Sequence, residues 1–231
     1  MRPTSESDVD RTTDPVTRAV RAFAAGDPVL VHDAADREGV TDVIYPAGAV
    51  TPRAVARLRN DAGGLVCLAL DDAVSTALDL PFLDSTIDHP TAADHDLAYD
   101  TRSSFSLPVN HRDTFTGITD ADRSLTITRL ADVAERIDDG EAYGVDDFAR
   151  EFRSPGHVHL LRAASGLLDE RRGHTELGIA LARAAGLPPA VVVCEMLDDE
   201  TGEARPVADA RAYARRHGLV YVEGCDLVDR L

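Results

Sequence analysis

The chain contains no lysine. All 24 of its basic residues are arginine, and 41 aspartates and glutamates outweigh them to give a net charge of -17. A surface of that sign repels phosphate backbones and anionic bilayers, which argues against nucleic acid and membrane as partners. There is no apolar run near the ~20 residues that a membrane span needs. The N-terminus, MRPTSESDVDRTTDP, is polar and acidic, unlike a signal peptide or an anchor, so a soluble cytoplasmic protein is expected. Cysteine is scarce and odd in number: Cys67, Cys194 and Cys225 are far apart, which excludes a disulfide framework and predicts reduced thiols. An acidic, lysine-free composition also resembles that of proteins from salt-loving archaea, where abundant cations screen self-repulsion.

What is present is a chain of 231 residues with 44% hydrophobic content, enough for one large domain with a buried core. Residues 1–14 read as a disordered acidic tail and 15–231 as a single domain. Asp14-Pro15 opens a helix that carries Val16, Ala19, Val20 and Phe23 inward and stops at Gly26. The run VLVHD (29–33) reads as a strand, AADREGVTD as a polar loop, and VIY (43–45) as a second extended piece. Thr51-Pro52 starts a helix ending at Gly63-Gly64, before a strand at 65–70. Residues 80–116 read as a long polar loop with short strands, of which FSLPV (105–109) is the clearest. His89, His95 and His111 lack ligand-like spacing there and are expected at the surface. Helices are expected from Thr119 and around 145–152. Alternating strands and helices predict an α+β fold: a mixed β-sheet with helices packed on its faces.

The densest chemistry lies at Arg153–Glu176, RSPGHVHLLRAASGLLDERRGHTE. Arg171, Arg172 and Gly173 precede a helix that Thr175 is expected to cap. A helix N-terminus beside two arginines suits a phosphate or another anion. His174 stands at the same entrance, where an imidazole can meet a metal or a substrate oxygen. Downstream, AVVVCEM (190–196) is nearly pure apolar sequence, as an interior strand requires, yet it delivers Glu195 at its end. A carboxylate there must face a cleft, pair with an arginine or bind a cation.

Two motifs in order, DAADREGVTD after a strand and SPGHVHLLRA with RRGHTE followed by VVVCEM, resemble the 3,4-dihydroxy-2-butanone 4-phosphate synthase family of riboflavin biosynthesis. GLVC (64–67), LDLP (78–81) and TGIT (116–119) extend the likeness from about Ala24 to the C-terminus. The resemblance implies a carbon–carbon lyase that converts D-ribulose 5-phosphate into L-3,4-dihydroxy-2-butanone 4-phosphate and formate. It also implies a homodimer with the active site near the subunit interface, and Mg2+, two per active site, with Mn2+ as an alternative. Carried over residue by residue, it implies Glu38 and His174 as metal ligands, and His157 and Glu195 as the catalytic proton-transfer groups. Arg37, Glu38, Asp42, Arg171, Arg172, Gly173, His174, Thr175 and Glu195 are implied as substrate contacts, with Cys67 and Asp33 beside them. Val40 departs from the pattern, since the family's loop carries a further Glu there. A non-catalytic sugar-phosphate or nucleotide binding module of the same architecture is the rival expectation.

Overall fold

The computed structural model describes residues 14–33, 39–92, 100 and 102–231. The expected acidic tail, except Asp14, lies outside them, as do Arg37, Glu38 and His95.

Helix α1 (Pro15–Ala24) starts where expected: Asp14 accepts from the Thr17 amide at 3.1 Å, Pro15 occupies the first turn, and Val16, Ala19 and Phe23 are buried. Seven strands follow: β1 (Val29–His32), β2 (Thr41–Pro46), β3 (Cys67–Leu70), β4 (Phe105–His111), β5 (Phe152–Arg162), β6 (Ala190–Glu195) and β7 (Val220–Glu223). They form one sheet of order β4-β5-β3-β6-β2-β1-β7. It is mixed, with β3 and β5, and β1 and β7, parallel and the other neighbours antiparallel. Strand β6, with five consecutive buried apolar residues, sits at its centre.

Side-chain alternation divides the core in two. Leu30, Val43, Leu68, Leu160 and Val192 face one side, where α2 (Pro52–Arg57), α4 (Asp120–Asp138) and α7 (Val207–His217) cover them. Val31, Ile44, Ala69, Leu161, Val191 and Val193 face the other, beneath α1, α6 (His174–Ala184) and α8 (Gly224–Val228). The remaining helices are α3 (Asp72–Ala77), begun by the Asp71 cap, and α5 (Val145–Glu151). The sheet is therefore sandwiched between two helical layers, as the alternating pattern predicts.

The structure corrects several local expectations. Strand β2 begins at Thr41, so Asp42 belongs to the sheet and not to the polar loop; its pairing with Val31 and Glu195 outweighs its low strand propensity. The Pro-Gly-His segment is an excursion within β5: Val158 pairs with Val109 and Arg153 with Asn110, leaving 154–157 to bulge from the ladder. In α6 the cap is Gly173, with extended φ -84 and ψ 171, while Thr175 is already helical and makes no capping bond. The helix lies close on the sheet because Gly178 lacks a side chain; a Cβ there would stand 2.8 Å from a Val191 methyl.

Candidate active site

Strand register brings the first site residues together. Asp42 pairs directly with Glu195, and Cys67 with Val193, two residues along from Glu195. Paired residues project to the same face, so Asp42, Cys67 and Glu195 share the side on which α6 packs. The close approach at Gly178 sets the first turn of that helix, His174 and Thr175, over the same patch. Together they line a cleft of about 480 Å3 that Leu83, Arg102, Ser104 and Phe105 also line.

At the floor, the His174 ring has Nε2 3.6 Å from Asp42 Oδ1 and Nδ1 4.0 Å from Asp33 Oδ2. Burial lowers its pKa to about 4, with the Asp33 charge opposing, so the imidazole is neutral at pH 7. Its Nε2 is buried and makes no hydrogen bond among the described residues. A neutral imidazole nitrogen left without a partner beside carboxylates has the chemistry of a metal ligand. Among the described residues no three such side chains converge as a finished metal cage. Glu38, the other expected ligand, lies outside them. The base of its loop is fixed, however: the Asp33 and Val40 backbones are bonded at 3.2 Å, and Val40 N–H donates to Asp33 Oδ1 at 3.1 Å. At this point Val40 serves through its amide and carbonyl.

Glu195 has no arginine within ion-pair distance among the described residues. Its Oε2 instead accepts the Leu65 amide at 3.0 Å, while its carbonyl accepts the Gly64 amide at 3.0 Å. The contact demands glycine, because a Cβ on Gly64 would stand 2.4 Å from Glu195 Oε2. Its Oε1 makes no hydrogen bond among the described residues, and the residue lines the cleft. Cys67 is buried, and burial together with the Glu195 charge raises its thiol pKa well above the usual value. It is a neutral wall group, unsuited to attack as a thiolate.

The RRGHT segment divides. Arg171, His174 and Thr175 line the cleft, whereas Arg172 is exposed and donates to the Leu168 carbonyl at 3.3 Å. Arg171 is held on two sides: Nε and Nη2 lie 2.7 and 2.6 Å from Asp100 Oδ2, and Nη1 is 2.6 Å from Glu176 Oε2. Glu176 is fully buried, and its other oxygen takes the Ala164 amide at 3.0 Å.

His157 is not among the residues lining the cleft. It is exposed on the β5 excursion, where its amide donates to Asn110 Oδ1 at 2.8 Å and its Nδ1 lies 3.1 Å from Asn110 Nδ2. With that amide nitrogen as donor, the neutral ring carries its proton on Nε2. His111, expected at the surface, is instead 6% exposed and set edge-on against Phe152, and burial lowers its pKa. His89 is exposed, as expected.

Sequence reading missed the whole β4 wall, because its residues lie in or beside a run whose polarity reads as loop. It also missed Asn110 and the Gly64-Leu65 amides, which act through geometry no motif displays. The available signals were the Gly63-Gly64 pair and the apolar FSLPV strand directly after Arg102-Ser103-Ser104.

Comparison with known proteins shows the family of the chain. The family model described as 3,4-dihydroxy-2-butanone 4-phosphate synthase matches residues 17–230. A protein of that name from Methanosarcina mazei is 48% identical over 224 residues, covering 93% of this chain and 90% of the relative. The solved structure of the Candida albicans synthase superposes with a TM-score of 0.75 at 30% identity, covering 94% of this chain and 96% of that one. A structure of such a synthase in complex with two magnesium ions gives 0.73 at 32% identity, covering 93% and 95%.

Proposed function

The chain belongs to the 3,4-dihydroxy-2-butanone 4-phosphate synthase family, enzymes of riboflavin biosynthesis, and from that premise we propose that it converts D-ribulose 5-phosphate into L-3,4-dihydroxy-2-butanone 4-phosphate and formate. The observation that carries this reading is the floor of the cleft. There two sheet-paired acids, Asp42 and Glu195, meet a buried, neutral His174 whose Nε2 makes no hydrogen bond among the described residues.

His174 and Glu38 would hold a divalent cation, with Asp42 beside them. When bound, the cation supplies Lewis acidity for the substrate's carbonyl and hydroxyl oxygens. Magnesium is favoured by the relative crystallised with two such ions, and an imidazole ligand also suits manganese. Glu195 offers Oε1 as the proton acceptor, while the Leu65 amide fixes its other oxygen and so aims it into the cleft. Asp42 and Arg37 contact the sugar oxygens, Cys67 and Asp33 border them, and the start of α6 turns amides toward the phosphate.

His157 acts from a second copy. It stands on the β4–β5 side of the sheet, and the segment that follows β4 exposes Phe115, 94%, and Ile118, 50%. A homodimer that covers Phe115 and Ile118 would take their apolar surface out of water and carry each His157 to the cleft of the other chain. No described helix is long and apolar enough to cross a membrane. The enzyme's proposed place is the cytoplasm, at high ionic strength in keeping with its net charge of -17.

The test is formate released per ribulose 5-phosphate consumed, in high salt with magnesium, with manganese and with EDTA. Equimolar, metal-dependent formate is expected. A folded protein that binds the sugar phosphate and releases none would overturn the lyase in favour of a binding module.

A further inference from the structure

Two buried polar atoms in the lining of the cleft, on Arg102 and Ser104, make no hydrogen bond among the described residues. Arg102 is mostly buried, with a side-chain exposure of 28%, and its guanidinium lies flat on the Phe82 ring, 4.0 Å from the centroid. Its Nη1 is inaccessible to solvent and makes no hydrogen bond among the described residues. Glu170 pairs with it as an ion pair, Oε1 3.7 Å from Nη2, beyond hydrogen-bond length. Two residues on, the Ser104 hydroxyl is also buried and without a partner, although the Ser104 carbonyl is tied to the Arg162 amide at 2.8 Å. Both residues line the cleft. Buried donors left unmade are costly, and two in one cleft, one of them cationic, call for a ligand oxygen.

We propose that Arg102 and Ser104 form an anion subsite in the cleft, gripping the phosphate of the substrate. The inference rests on the reading of the cleft as a sugar-phosphate site, and it assigns the grip to residues outside the RRGHT segment. The contrast with Arg171 supports it: that guanidinium already faces two carboxylates within 2.7 Å, so less of its charge is left for a ligand. The Phe82 stack fixes the plane of Arg102 and presents its edge, the geometry in which arginine takes two phosphate oxygens at once. The Ser104 hydroxyl adds one neutral donor beside it.

The experiment is calorimetric titration with inorganic phosphate, together with KM and kcat for ribulose 5-phosphate, for the wild type, Arg102→Met, Arg102→Lys and Ser104→Ala. Arg102→Met keeps an apolar stem on Phe82 and removes the charge. It is expected to weaken phosphate binding and raise KM by roughly ten- to hundredfold, with a much smaller change in kcat. Arg102→Lys should recover part of that loss, and Ser104→Ala should cost a few-fold. The proposal is overturned if Arg102→Met and Ser104→Ala both bind phosphate and substrate as the wild type does, which would mean that water alone fills the corner. Should Arg102→Met fail to fold, Arg102→Lys and Ser104→Ala decide the matter. A wild type that binds phosphate through Arg102 yet releases no formate would sink the lyase reading and leave the subsite standing.

Discussion

Two glutamates and two arginines surround the same cleft in opposite states. On the α6 side, Glu176 is wholly buried with both oxygens committed, one to the Ala164 amide and one to Arg171, whose other edge meets Asp100. Elsewhere in the cleft, Arg102 pairs only loosely with Glu170 and keeps a buried nitrogen with no hydrogen bond among the described residues, and the Glu195 carboxylate is held by a single amide. All four carry charges that the chain could neutralise internally, and the first pair does so far more closely than the second. Charge closed on itself shapes the cleft, whereas charge left open is what a substrate can use. Which arginine serves the ligand is therefore told by its partners, and position in a motif does not settle it.

The comparison breaks most visibly at Glu176. Glu176→Ala strips the Ala164 amide and one edge of Arg171 of their buried acceptor and should cost about 3–5 kcal/mol in urea unfolding. Arg102→Met should cost under about 1 kcal/mol, since it removes no closed pair. Equal losses in the two variants would erase the distinction. Next in size is Gly64→Ala, whose new methyl drives into the Glu195 carboxylate; about 1–3 kcal/mol of stability and most formate release should be lost together.

The third test concerns the floor and is read as stability against pH in EDTA. His174 has a folded pKa of about 4, below its ordinary 6.5, so between those values the unfolded chain binds more protons than the native one. Stability should fall as the pH drops through that window, and His174→Asn should flatten the slope. An unchanged slope would mean that His174 is not buried as described. The smallest expected effect on folding is at Phe115→Asp, within about 0.5 kcal/mol because the side chain is 94% exposed. Sedimentation should nevertheless show the dimer lost, and formate release with it; a variant that stays dimeric and active would remove Phe115 from the interface and leave His157 without its route to the cleft.

Much of the fold was legible in the sequence because local rules decided it. Asp14-Pro15, Thr51-Pro52 and Thr119 set helix starts where they were expected, and the apolar purity of 190–196 put β6 at the centre of the sheet. Thr175 misled because a side chain able to cap was read without the backbone: Gly173 holds the extended conformation that a cap requires. Asp42 was placed in a loop by its polarity, yet the ladder to Glu195 made it a strand residue. At the site, residue types were legible and partnerships were not. Arg171 was read as an open clamp because the closing Asp100 lies 71 positions away. Arg102 and Ser104 were passed over because burial is a property of the folded cleft alone. The exposed place of His157, outside the cleft of its own chain, could be found only in three dimensions.

The central claim is that the open carboxylate at the floor of the cleft performs the chemistry. It is tested most directly by measuring formate release from ribulose 5-phosphate by Glu195→Gln, which keeps the shape and the Leu65 contact but removes the base. The account predicts an unchanged melting temperature, retained binding of the sugar phosphate and a loss of formate release of at least ~100-fold. A folded Glu195→Gln variant that releases formate at a rate near that of the wild type would contradict it.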